Sequence, residues 1–111
     1  MEYRTNIENI TPNMLPKILT LFQTSFPKGS KLLTKSYHDW LYLQNPFGPA
    51  KAVYVCTNGE WAGFMALVPV QLARKGETMN AYFAVNVLVD PSYRGRNLFA
   101  RMITAASEFA K

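Results

Sequence analysis

Val85-Asn86-Val87-Leu88-Val89-Asp90-Pro91-Ser92-Tyr93-Arg94-Gly95-Arg96-Asn97-Leu98-Phe99 reads as a buried strand, a tight turn and the start of a helix. Asp90-Pro91 stops the β-rich run, because proline cannot donate to a strand ladder and aspartate forms turns with its own backbone. The first N–H groups of the helix that follows have no internal partner and, with the macrodipole, make an anion site. Gly95 allows a left-handed backbone and close approach of a ligand. Arg94 and Arg96 add permanently charged donors suited to phosphate oxygens. The residues predict a phosphate cradle at a strand-to-helix turn. An ordinary solvated turn is the plainer alternative, and helix capping is the plainer role for Asn97.

Working outward, Asn80 to Val89 is the third of three consecutive β-runs. The second runs from Glu60 to about Leu72 and is joined to the third by a turn at Arg74-Lys75-Gly76-Glu77. The first, Ala52 to Cys56, is joined to the second by Asn58-Gly59, a strong two-residue hairpin signal. After the cradle, Leu98, Met102, Ile103, Ala106 and Phe109 share one face of a helix that begins near Asn97 and still reads as helix at Lys111.

Before the strands, Tyr3 to Ile10 supplies a short first strand. Thr11-Pro12-Asn13 then opens a helix, with Thr11 or Asn13 as its N-cap. Leu15, Ile18, Leu19, Phe22 and Phe26 form its apolar stripe. A shorter helix from Thr34 or Ser36 has Tyr37, Trp40, Leu41 and Gln44 as its expected inner face, and Asn45-Pro46-Phe47-Gly48-Pro49 ends it. The order strand, helix, helix, three strands, helix predicts a single α+β domain over residues 1–111.

Composition bounds the function. The 111 residues are 49% hydrophobic and 17% charged, too apolar for a disordered segment. The net charge of +5 is spread over scattered lysines, without a basic run or a nucleic-acid motif, so nucleic acid is not the expected partner. No apolar stretch approaches the ~20 residues that cross a bilayer, and no membrane role is expected. The lone Cys56 sits in an apolar run and reads as an inert buried thiol in a reducing, cytoplasmic setting. His38, the only histidine, is expected to be a partly exposed structural residue, and no metal site is expected.

The segment Val89-Asp90-Pro91-Ser92-Tyr93-Arg94-Gly95-Arg96 resembles the acetyl-CoA-binding motif of GNAT N-acetyltransferases, Arg/Gln-x-x-Gly-x-Gly/Ala after a strand ending in Val-x-Pro. The family's element order also matches from the first strand to the third helix. Asn97 and Phe99 stand where the pattern has its two small residues. The resemblance implies acetyl transfer from acetyl-CoA to a primary amine, on a small molecule or a peptide. The sheet would be mixed, mainly antiparallel and flanked by helices. Pantetheine would pair with the strand at Val87, Leu88 and Val89, one of whose amides would polarise the thioester carbonyl. The pyrophosphate would lie on the amides of Arg94, Gly95, Arg96, Asn97, Leu98 and Phe99.

Family domains continue into a fifth strand, a fourth helix and a closing pair of strands. The chain is therefore expected to be truncated, supplying one wall of the cofactor cleft without the family's general-acid tyrosine. A non-catalytic CoA-binding or interaction module is the alternative reading. An open, apolar edge strand would invite pairing with a second copy. No carboxylate falls in the middle of the Asn80–Val89 run, Glu60 and Glu77 read as solvated, and no catalytic base is assigned.

Overall fold

A computed structural model describes residues 2–109, the side chain of Leu32 excepted. Four strands form one sheet in the order β1 (Arg4–Asn9), β2 (Lys51–Thr57), β3 (Glu60–Arg74), β4 (Glu77–Val89), and all three pairings are antiparallel. The helices are α1 (Leu15–Phe22), α2 (Lys35–His38) and α3 (Leu98–Phe109), giving an α+β fold. Ala110 and Lys111, expected to continue α3, lie outside the described residues.

Both hairpin turns follow from residues that accept positive φ. Asn58 and Gly59 have φ of 52° and 79°, and Lys75 and Gly76 have 51° and 80°. The second turn begins pairing at Glu77, so β4 starts three residues before the run read from the sequence. Thr11 flanks a 3-10 turn (Pro12–Met14) that leads into α1, with Pro12 in its first positions, where a missing N–H is harmless.

Two apolar layers cover the sheet. On one face Ile18, Leu21 and Phe22 of α1 pack with Tyr42 against Phe64, Ala66 and Leu88. On the other, Leu98 and Met102 of α3 pack against Val53, Val55, Met65 and Leu67. Gly63 permits this second contact: a Cβ there would lie 3.2 Å from Met102 Cε.

The inner face of the second helical segment differs from expectation. His38 and Tyr42 are fully buried, whereas Trp40 is 63% exposed. After α2 the chain widens into a π-turn (Asp39–Leu43), in which Gln44 N–H bonds the Asp39 carbonyl. The buried face is set by His38 and Tyr42, four residues apart on one side of the segment, and Trp40, midway between them, points to the other side. His38, expected to be partly exposed because it adjoins the presumed inner face of a short helix, is instead fully buried. In the fold its ring is enclosed by those of Phe22, Tyr37 and Tyr42. Cys56 is half-buried, accepting a 3.7 Å contact from Asn6 Nδ2, rather than fully enclosed. Ile103 and Phe109, expected on the inner face of α3, are 40% and 39% exposed.

Candidate cofactor cleft

At the carboxyl end of β4 the Asp90 side chain accepts from Ser92 N–H at 2.8 Å, and its carbonyl accepts from Tyr93 N–H at 2.8 Å. These bonds form a 3-10 turn (Pro91–Tyr93) that reverses the chain. Gly95 (φ 85°) and Asn97 (φ 60°) then carry it into α3. Glycine meets the first requirement without strain, and asparagine is among the few side chains that tolerate the second. Arg101 N–H bonds the Asn97 carbonyl at 3.1 Å, the first intrahelical bond. The amides of Leu98, Phe99 and Ala100 are thereby left at the helix start without intrahelical acceptors. No acidic side chain occupies that first turn.

A second irregularity lies upstream. Phe64 pairs with Leu88 but Ala66 pairs with Val85, so Asn86 and Val87 together oppose Met65. This β-bulge is centred on Asn86, whose φ is 54°. Asn86 Nδ2 donates to the buried Tyr42 hydroxyl at 2.8 Å. Burial holds the Tyr42 phenol above its ordinary pKa, against a smaller opposing effect from Asn86.

Beyond the bulge the strand is regular, which fixes where its amides point. Asp90 N–H bonds the Ala62 carbonyl on β3 at 2.8 Å. Successive residues alternate, so the N–H groups of Val89 and Val87 face the opposite edge. Arg94 Nε donates to the Val89 carbonyl at 3.3 Å from that same side. Among the described residues no strand pairs with this edge.

The edge, the turn and the start of α3 enclose a cleft of about 550 Å³. Val87, Leu88, Val89, Arg94, Gly95, Asn97, Leu98 and Phe99 line it, together with Ser25, Phe26 and Tyr93. The fold thus brings eight of the nine sequence-derived site residues into one cavity. Arg96 is the exception: its guanidinium bonds the Tyr3 hydroxyl at 2.7 Å and lies over the Tyr93 ring. Chain direction explains this, since Gly95 reverses the backbone between the two arginines. Arg94 instead spans the cleft mouth, its Nη2 3.3 Å from Ser25 Oγ.

Ser25 and Phe26 were not legible as site residues. They follow α1 by three and four positions but lie more than sixty residues from the cradle in sequence. Tyr93 also lines the cleft, while its hydroxyl faces Glu60 at 3.5 Å. Desolvation and then the Glu60 carboxylate raise its pKa, favouring the neutral phenol. None of the described residues lining the cleft is a carboxylate or an imidazole. Tyr82 and Phe83 face opposite sides of the sheet. Tyr82 packs edge-on to Phe109, while Phe83 opposes Val68 on the α1 side.

Residues 6–111 match the family model described as an acetyltransferase (GNAT) domain. No curated protein sequence matches the chain at a significant level. Solved structures share the fold at low identity. AAC(6')-Iy, in complex with the bisubstrate analogue CoA-S-monomethyl-acetylneamine, is 17% identical with a TM-score of 0.66. The match covers 95% of this chain and 70% of that one. A ribosomal-protein-alanine N-acetyltransferase from Brucella melitensis biovar Abortus 2308 is 16% identical with a TM-score of 0.67, over 95% and 70% of the two chains. A GNAT family acetyltransferase from Brucella melitensis, in complex with acetyl-CoA, is 19% identical with a TM-score of 0.63, over 95% and 67%.

Proposed function

Because the chain belongs to the GNAT acetyltransferase family, we propose that its cleft binds acetyl-CoA and that the protein transfers the acetyl group to a primary amine. The observation that carries this reading is the convergence of eight motif residues, two outward strand amides and the start of α3 on one cavity.

The residues suit the group. Amides of Leu98, Phe99 and Ala100, aided by the helix dipole and the Arg94 guanidinium, would hold the pyrophosphate. Gly95 leaves open space where a side chain would stand, since a Cβ there meets nothing within 4 Å. The outward edge at Val87 and Val89 would pair with the amide-bearing pantetheine arm, as an added strand would.

Acetyl-CoA brings an acetyl group activated as a thioester. The chain's contribution is to hold that group still beside the acceptor and to aim a strand amide at its carbonyl oxygen. Strand alternation favours Val87 or Val89 over Leu88 for that donor. No residue is assigned as proton acceptor. The acceptor is a small-molecule or peptide amine; the structural neighbours include proteins named for both kinds.

Calorimetric titration with acetyl-CoA tests the reading. Saturable binding with one site per chain is the expected result. A folded chain that takes up none would favour the second reading, an interaction module, for which the outer edge of β4, unpaired among the described residues, is the specific observation. That reading expects light scattering to show a dimer built by strand pairing.

A further inference from the structure

Two backbone irregularities meet at one hydrogen bond. The π-turn at Asp39–Leu43 presents Tyr42 to the core, and the left-handed Asn86 makes the bulge in β4. Each is an uncommon conformation that persists only where its surroundings enforce it. The link between them, from Asn86 Nδ2 to the Tyr42 oxygen, spans 44 residues of sequence at 2.8 Å.

The chemistry is one-directional. Tyr42 is fully buried, and a buried hydroxyl needs a partner. The rings of His38 and Phe64 pack on its own ring and fix where the oxygen sits. Its backbone is also anchored, since the Tyr42 carbonyl accepts from Ala50 N–H at 2.9 Å. Tyr42 is thus the immobile member of the pair, and Asn86 is drawn to it. The adjoining residue is Val87, whose amide faces the cleft.

We propose that Tyr42 is a positioning residue: its hydroxyl fixes Asn86 in the left-handed conformation and so sets the direction of the Val87 and Val89 amides that receive the thioester carbonyl. This rests on the acetyl-CoA reading for the identity of the ligand, but the lock itself does not. Tyr42 touches no substrate and acts only through Asn86.

The test uses Tyr42→Phe, which keeps the ring and removes the oxygen, and Asn86→Gly, which keeps left-handed freedom and removes the donor. In the ligand-free chain, hydrogen exchange at the Leu88 amide should accelerate roughly tenfold in both variants, while β1–β2 amides stay protected. Bound acetyl-CoA labelled with carbon-13 at its carbonyl should show a displaced carbonyl stretch in the wild type. In Tyr42→Phe that displacement should be lost, with CoA affinity within about twofold.

Unchanged exchange in a folded Tyr42→Phe chain overturns the inference. So does an Asn86→Gly chain that behaves as wild type, since backbone freedom alone would then suffice. A wild-type chain that binds no acetyl-CoA, with exchange altered in both variants, overturns the proposed function and leaves the lock standing.

Discussion

Arg94 Nε lies 3.3 Å from the carbonyl oxygen of Val89, so the arginine of the turn folds back over the strand edge that leads into it. The neighbouring arginine does the opposite, with Arg96 bonded to Tyr3 outside the cleft. Two residues that look alike in sequence therefore have different surroundings, and binding should separate them.

Arg94→Ala should weaken acetyl-CoA binding by roughly 10- to 100-fold, the range for a lost hydrogen bond to a charged group. Arg96→Ala should change it by no more than about threefold, as expected of an exposed charge near the site. Calorimetry on the two single variants checks this. Equal losses would place both guanidiniums on the ligand.

Gly95→Ala should destabilise the fold by about 1–2 kcal/mol, because alanine at φ 85° is strained while no neighbour obstructs its Cβ. Urea titrations of both variants check this, and Asn97→Gly should be close to neutral in them, since glycine adopts φ 60° freely. A larger penalty for Asn97→Gly would assign its side chain a bond of its own.

Gly63→Ala sets two effects against each other. Alanine in a strand gains about 0.5–1 kcal/mol over glycine. Overpacking against Met102, 3.2 Å away, costs about 1–3 kcal/mol. The net expectation is a modest loss of stability. Met102→Ala alone should cost about 2–5 kcal/mol by leaving a cavity. The double variant should cost less than the sum, because each change relieves the other.

Stability should fall above about pH 10, where an unfolded tyrosine ionises. Tyr42 is held protonated in the fold by burial, so its contribution is complete below that pH and is lost as pH rises toward its higher folded value. One such group gives a slope of up to about 1.4 kcal/mol per pH unit. Tyr54, pushed up to about 12 by partial burial and by Glu8, acts in the same direction in every variant. Urea midpoints between pH 9 and about 11 should therefore decline more steeply in the wild type than in Tyr42→Phe. Parallel declines would show that Tyr42 ionises as readily folded as unfolded.

Local chemistry made most of the architecture legible. Asn58-Gly59 and Lys75-Gly76 specify hairpins because few residues accept positive φ, and Asp90-Pro91 ends β4 because proline cannot extend a ladder. The 3.6-residue stripe of α1 announces the burial of Leu15, Ile18 and Phe22, though Leu21 rather than Leu19 completes the buried face and Phe26 follows the helix end. The grouping of eight residues in one cleft was readable for the same reason: strand, turn and helix start are contiguous and needed no long-range information to be placed together.

What adjoins the cradle from far along the chain was not readable. Ser25 and Phe26 reach the cleft only because α1 packs across the sheet, and Arg96 leaves it only because Tyr3 stands beside the turn. Trp40 was expected inside and His38 partly outside, because in so short a segment more than one face fits the periodic pattern and only packing against Phe22 and Phe64 selects one. Sequence by itself determined the elements, their order and the strand-to-helix turn at Asp90–Asn97, all of which rest on backbone preferences within a few residues. Tertiary structure alone decided which arginine faces the cleft and which tyrosine holds the bulge, because those choices depend on packing between segments that sequence separates.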